Sequence, residues 1–573
     1  MRTAPLALGL AVALAGCAGA HLDADEPIAS KQTLEKETPL KPGASGGELL
    51  SEQAAIDVQH YTLRVDIDPE ARSLVGSLQM TADVIAPLHD LVLHLDQELQ
   101  VDEVLVGGKP SSFRHAGGLI RAPLKVALSE GDSLQATIKY SGRPHVAVRA
   151  PWDGGFTWSQ TEEGMPWFAT TCQGEGADLW WPCKDHPSDK PESMDLFVTV
   201  PDPLVVASNG TLQSVTPAGD GKQTYHWHIA SPISNYNVAL NVGPYERIDA
   251  QFTSLDGESF PVYFWVLPES LEKGRAFMPE ILDHLAFFEN VVGPYPFRAE
   301  KYGVVETPHL GMEHQTIIAY GNDFRPGNPD YDWLHHHELS HEWWGNLVTN
   351  RDWKDMWIHE GIGTYMQPLY LEQRFGQQAY QQEMRRARAR INNQRAVAPR
   401  EIQDSKQIYF APDGSHDNDI YYKGSWIMHT LRWLLGDEVF FVTLRRMAYP
   451  DPSDERVTDG RQVRFSDTEE IRAITEAQAG EDLGWFFEVY LRQPDLPVLE
   501  ARVENDTLFL EWTVPEGLEF PMPVPLLLGD RMLRVEMPNG QAEVALQGQS
   551  FEVDPAQRIL KASRRRRGAE RGR

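Results

Sequence analysis

The sequence predicts a multidomain α+β protein, and three observations carry that expectation. At 573 residues the chain exceeds what one hydrophobic core serves, so two to four domains are expected. Apolar and polar residues alternate with period two across much of residues 51–248, whereas helical periodicity dominates residues 249–495. Alternation then returns in residues 496–560.

The β-region opens on His60-Tyr61-Thr62-Leu63-Arg64-Val65-Asp66-Ile67, turns at Asp68-Pro69-Glu70, and alternates again over residues 74–84. That pattern is a half-buried hairpin. Further strands are expected at residues 90–95, 135–140, 196–200 and 225–229. Amphipathic helices are expected at residues 271–291, 331–347, 358–375, 423–435, 468–478 and 483–492. Strands over 499–514 and beyond suggest a small β-sandwich.

Hydrophobic residues make up 41% of the chain and aromatics 10%, enough for real cores. Fifty-two basic against 83 acidic residues give a net charge of −31. Phosphate binding needs a basic face, so nucleic acid is excluded as a main partner. The acidity suits cationic substrates and equally serves solubility.

Residues 1–17 read as a signal peptide: Arg2 precedes an apolar run that ends Leu14-Ala15-Gly16-Cys17. The ending resembles the lipobox of bacterial lipoproteins, which implies export to the bacterial cell envelope and membrane attachment through a lipid on Cys17. Residues 18–50, polar and rich in Lys, Glu, Pro and Gly, read as a flexible tether. Residues 561–573 carry Arg564-Arg565-Arg566-Arg567 and read as a disordered basic tail. Cys172 and Cys183 could pair in an oxidising compartment, but spacing does not establish the geometry.

The chemistry-bearing stretch is His337-Glu338-Leu339-Ser340-His341. Residues four apart share one helix face, so the two imidazoles can hold one metal ion. Glu338 is rotated about 100° away from His337, placing it to act on a water at that metal rather than to ligate it. The motif alone also fits a helix with two hydrogen-bonded histidines. Glu360 follows His341 after 18 residues, a separation that suits a third ligand on a neighbouring antiparallel helix.

The run from His337 through Glu-Trp-Trp-Gly-Asn-Leu-Val to Thr349, with Asp355-Met-Trp-Ile-His-Glu-Gly361, resembles the aminopeptidase N and leukotriene A hydrolase family of gluzincin zinc peptidases. The resemblance implies one Zn²⁺ per chain held by His337, His341 and Glu360, with Glu338 as general base. It implies a saddle-like N-terminal β-domain, a thermolysin-like catalytic domain and a small C-terminal β-domain. His359 departs from the Asn usual in the family. Leu310-Gly311-Met312-Glu313-His314 resembles the family's Gly-Ala-Met-Glu-Asn edge strand. By that match Glu313 binds the substrate amine, and the backbone at Gly311 and Met312 pairs with substrate. Without the family, Glu313 is one acidic residue in a loop. Thr170-Thr171-Cys172-Gln173 with the later Trp181-Pro182-Cys183 implies Gln173 as a second amine contact, and Tyr421-Tyr422-Lys423-Gly424 implies Tyr421 as a donor to the oxyanion.

The expected activity is therefore release of N-terminal residues from peptides with a free N-terminus. A thermolysin-like endopeptidase would share the histidine helix without needing Glu313. An epoxide hydrolase would use the same metal, and an inactive surface-anchored binding protein would need neither ligands nor base.

Overall fold

The computed structural model describes residues 45–562 except 328, 412 and 413. The signal sequence with Cys17, the tether up to residue 44 and the tail from residue 563 lie outside the described residues.

The N-terminal region is built on an eight-stranded sheet. The hairpin Ile56–Asp68 and Ser73–Val84 lies at its centre, in antiparallel register. Its burial alternates residue by residue, as the period-two pattern requires. Ser193–Pro201 pairs in parallel with the first of these strands, and Lys222–Ile229 continues the sheet beyond it. A four-stranded sheet carries Pro166–Thr171, the strand that leads into Gln173. Cys172 and Cys183 are both buried and stand as free thiols.

The second region, expected to be catalytic, begins with a five-stranded sheet. In spatial order its strands are Glu246–Thr253, Ser259–Val266, Tyr302–Glu306, Ile318–Tyr320 and the edge strand Gly311–Met312. The expected boundary at 248/249 cuts the first of these strands. Its pairing with Ser259–Val266 assigns it to the catalytic sheet, so the division falls before Glu246. Packed against the sheet are the helix Leu271–Val291 and the shorter helix Trp333–Ser340. The helices Trp357–Phe375 and Asp419–Leu435 then pack on each other. Helices Gln377–Ala389 and Asp437–Ala448 were not anticipated from the sequence. The first of these is highly polar and buries only Tyr380, Met384 and Ala387, so its apolar stripe is narrow.

Two three-stranded sheets follow, Val498–Glu504 with Thr507–Thr513 and Gln541–Ala545, and Arg531–Val535 with Val524–Leu528 and Phe551–Val553. Their buried residues are continuous with the catalytic core rather than separate from it. Phe520 stacks edge-on against both Trp512 and Tyr490, and the Tyr490 hydroxyl donates to the carbonyl of Leu560. The region expected to be a tether is packed at its end. Ser45 is buried, Gly47 N–H donates to the carbonyl of Gln403, and Gly46 lies against Trp353.

Candidate metal centre and amine pocket

The helix Trp333–Ser340 is fixed at its start by Asp332. One oxygen of that carboxylate accepts the His335 N–H at 2.9 Å, and the other accepts the Tyr320 hydroxyl at 2.6 Å and the Asn322 amide at 2.8 Å. The cap ties the helix to the strand Ile318–Tyr320 and so sets where His337 and Glu338 emerge. The helix is shorter than the expected 331–347. After Ser340 the chain first tightens, with Glu342 bonded back to Leu339 and Trp343 to Ser340, and then widens, with Asn346 bonded back to His341 and Leu347 to Glu342. His341 keeps helical dihedrals (φ −72°, ψ −14°), so the four-residue spacing still puts both imidazoles on one side.

Nε2 of His337 and Nε2 of His341 are 3.4 Å apart. Glu360 Oε2 lies 3.6 Å from the first and 3.5 Å from the second. A tetrahedral zinc with bonds of about 2.1 Å has ligand–ligand edges of about 3.4 Å, so the triangle fits that ion. Two further observations agree. Glu360 Oε2 is buried without a hydrogen-bond partner, which a cation would satisfy. His341 Nδ1 sits 2.9 Å from the carbonyl of Trp344; donating there leaves the Nε2 lone pair facing Glu360. Burial, reinforced by His341, lowers the His337 pKa and keeps that ring in the neutral form a metal requires. Among the described residues, these three form the one cluster of this kind.

Glu360's helix meets the histidine segment at Gly363, where a Cβ would lie 2.7 Å from Ser340 Oγ, and it crosses the helix Asp419–Leu435 at glycines. A Cβ on Gly361 would lie 2.9 Å from the Cα of Gly424, and a Cβ on Gly424 would lie 2.7 Å from the Cα of Gly361. This contact brings Asp419–Leu435 close to Glu360, and Tyr421 on that helix lines the same cavity as Glu360. Tyr422 points elsewhere, and its hydroxyl accepts from Arg390 at 2.7 Å. Burial raises the Tyr421 pKa first, with Glu360 adding to it, so the phenol stays a donor.

Glu338 is 7% exposed. One of its carboxylate oxygens lies 2.6 Å from the place a Cβ on Gly311 would occupy, so the edge strand must carry glycine there for the base to fit. Gly311–Met312 pairs with Tyr320 and Ala319 on one side only, and both residues line the cavity. Glu313 follows, 2% exposed, and one of its oxygens accepts from the Gln173 amide at 2.5 Å and the Tyr236 hydroxyl at 3.0 Å. Asn346, just after the histidine helix, donates to the Glu313 carbonyl at 3.0 Å. It also accepts from Asn237 at 2.6 Å, joining the two regions at the site.

All nine residues singled out from the sequence (Gln173, Gly311, Met312, Glu313, His337, Glu338, His341, Glu360 and Tyr421) line one cavity of about 1380 Å³. Burial pushes the Glu338 carboxyl well above the usual range, and the nearby Glu313 and Glu360 push it further. Burial likewise raises Glu313. Three buried carboxyls in one cavity, Glu338 raised by the other two and Glu360 by Glu313, call for positive charge, and a divalent ion plus an ammonium would supply it. Tyr236, Asn346 and the helix-crossing glycines were not singled out as site residues from the sequence. Asn346, Gly361 and Gly424 do lie inside the motif runs, whereas nothing in the string marks Tyr236. His359 Nε2 accepts the Asn350 N–H at 3.1 Å, the contact made where the family pattern carries Asn.

Comparison with known families decides the relationship. The Peptidase M1 N-terminal domain matches residues 57–237, and the Peptidase family M1 domain matches residues 302–449. The chain belongs to peptidase family M1. Aminopeptidase M1-C of Oryza sativa subsp. japonica is 25% identical over 489 residues, covering 79% of this chain and 51% of its own length. Leukotriene A-4 hydrolase of Xenopus laevis is 25% identical over 427 residues, covering 67% and 64%. Leucine aminopeptidase 2 of Aspergillus fumigatus is 28% identical over 323 residues, covering 54% and 50%. This M1 chain thus spans between half and two thirds of those relatives. The solved M1 zinc metallopeptidase from Deinococcus radiodurans shares the fold, with a TM-score of 0.62 and 24% identity over 77% of this chain and 94% of that one. The zinc of the M1 family matches the ligand triangle described above.

Proposed function

We propose that this M1 protein is a zinc aminopeptidase that releases N-terminal residues from peptides. The observation that carries the reading is Glu313. Its buried carboxylate stands at the end of the open edge strand and faces the same cavity as the metal ligands. A carboxylate so placed captures a free ammonium and admits one residue before the scissile bond. An endopeptidase would need that end open instead.

His337, His341 and Glu360 would hold the zinc, which supplies Lewis acidity to the scissile carbonyl and acidifies water. Substrate lies along Gly311–Met312 as an added strand, its ammonium between Glu313 and Gln173. Glu338 accepts a proton from the attacking water as the oxygen bonds to the carbonyl carbon. Tyr421 donates to the oxygen that gains charge. Glu338 then returns the proton to the leaving amine as the C–N bond breaks. The deciding assay compares an aminoacyl anilide with its N-acetylated form. Hydrolysis restricted to the free amine supports the reading, and equal hydrolysis of both removes it.

The leader sequence supports a second proposal, anchoring at the bacterial cell envelope through a lipid on Cys17. Cys17→Ala should move the protein from the membrane fraction to the soluble one. An unchanged distribution would sink the anchor and leave the peptidase reading untouched.

A further inference from the structure

Some buried polar atoms in the cavity wall have no hydrogen-bond partner, and one of them is a second phenol. Tyr409 lies on the short helix Ser405–Tyr409, in the segment between the helices Gln377–Ala389 and Asp419–Leu435. Its hydroxyl is buried without a hydrogen-bond partner, and the residue lines the same cavity as Glu360 and Tyr421. Glu313, Gln173 and the metal ligands His337 and His341 line that cavity too. The phenol therefore stands where the metal ligands, the amine pocket and the Tyr421 hydroxyl converge.

Its placement is built rather than incidental. Asp404 accepts the Gln407 N–H at 2.7 Å while the Gln407 side chain accepts the Asp404 N–H at 2.9 Å, a reciprocal cap that starts the helix. Ser405 Oγ donates to the carbonyl of Gly174 at 2.6 Å, one residue beyond Gln173. Gly47 N–H holds the preceding residue Gln403 by its carbonyl. The ring stacks on His416 at 6.4 Å and meets Trp353 at 6.3 Å. A buried hydroxyl held this firmly without a partner carries a desolvation cost, and polar groups kept at such a cost deserve a functional explanation.

We propose that Tyr409 is a second hydrogen-bond donor to the scissile carbonyl oxygen, acting beside Tyr421 as charge develops there. The proposal rests on the aminopeptidase reading and extends it. It gives the helix Ser405–Tyr409 a chemical role as well as a place in the cavity wall.

The test uses the whole chain carrying zinc, with Y409F, Y421F and the double variant. Expected for Y409F is a fall in kcat of about ten- to a hundredfold, somewhat below the loss of a sole oxyanion donor, with KM within about twofold. Affinity for the aminophosphonic analogue of leucine, a tetrahedral anion, should fall in parallel, while affinity for leucine itself should hold. Because the hydroxyl is unpartnered, its removal should leave the thermal midpoint unchanged or raise it. A kcat and a phosphonate affinity both within twofold of wild type would overturn the proposal. So would equal weakening of phosphonate and leucine, or a lowered midpoint, because each marks a structural role. If the wild-type protein hydrolyses no aminoacyl anilide, the aminopeptidase reading itself fails, an outcome distinct from a silent Y409F in an active enzyme.

Discussion

The metal centre and the amine pocket share one cavity but are assembled in different ways. The metal centre draws on two helices of a single core, and its three ligands lie within 24 residues of sequence, from His337 to Glu360. The amine pocket draws Glu313 from the edge of the catalytic sheet and takes Gln173 from a loop and Tyr236 from the 3-10 helix Asn235–Asn237 of the N-terminal region. A site held inside one core depends on local packing. A site shared between regions depends on how those regions dock, and here Asn346 couples the two by bonding both Glu313 and Asn237. Damage to one should therefore be separable from damage to the other.

The largest expected effect comes from breaking the triangle. His341→Ala or Glu360→Ala should empty the site of zinc and abolish turnover, as read by metal analysis and anilide hydrolysis. Retained stoichiometric zinc would show that the ligands lie elsewhere. Glu338→Gln should keep the metal yet lower kcat by about 10²- to 10⁴-fold, the usual contribution of a general base. A variant with wild-type turnover would refute the base assignment. Glu313→Ala removes a charge-assisted contact of about 1.5–3 kcal/mol, roughly 10- to 150-fold in kcat/KM for free-amine substrates, with zinc content unchanged. Loss of zinc in that variant would erase the separation between the two halves.

A smaller effect tests the helix crossing. Gly424→Ala places a methyl 2.7 Å from Gly361, which costs about 1–3 kcal/mol of stability and shifts Tyr421 from Glu360. Unfolding and kcat should suffer together, and an unaffected kcat would mean the crossing does not position the phenol. The smallest effect is that of Tyr236→Phe, a single hydrogen bond to Glu313. It should cost about 0.5–1.5 kcal/mol in kcat/KM, with metal affinity untouched.

The same contrast explains what could be read in advance. His337 and His341 were legible because a four-residue spacing on a helix is already a three-dimensional statement. Glu360 was legible because it lies one helix away. Glu313 and Gln173 entered only through resemblance to motifs, since a carboxylate in a loop carries no periodic signal. Tyr236 and Tyr409 had neither periodicity nor motif, and contacts across 77 residues in one case and folding of a connecting segment in the other brought them to the cavity. The missed helix Gln377–Ala389 and the shortened histidine helix have a similar origin. A narrow apolar stripe hides the first, and the irregular turns after Ser340 come from backbone bonds that no residue pattern announces.

By itself, then, the amino-acid string determined the α+β architecture, the central hairpin, the histidine pair and its reach to Glu360, because local periodicity and short spacings translate directly into shared faces. Only the tertiary structure decided that three carboxyls, two phenols and an open strand edge meet in one cavity. That convergence depends on close approaches, Gly361 to Gly424 and Glu338 to Gly311, which exist only once separate elements have packed.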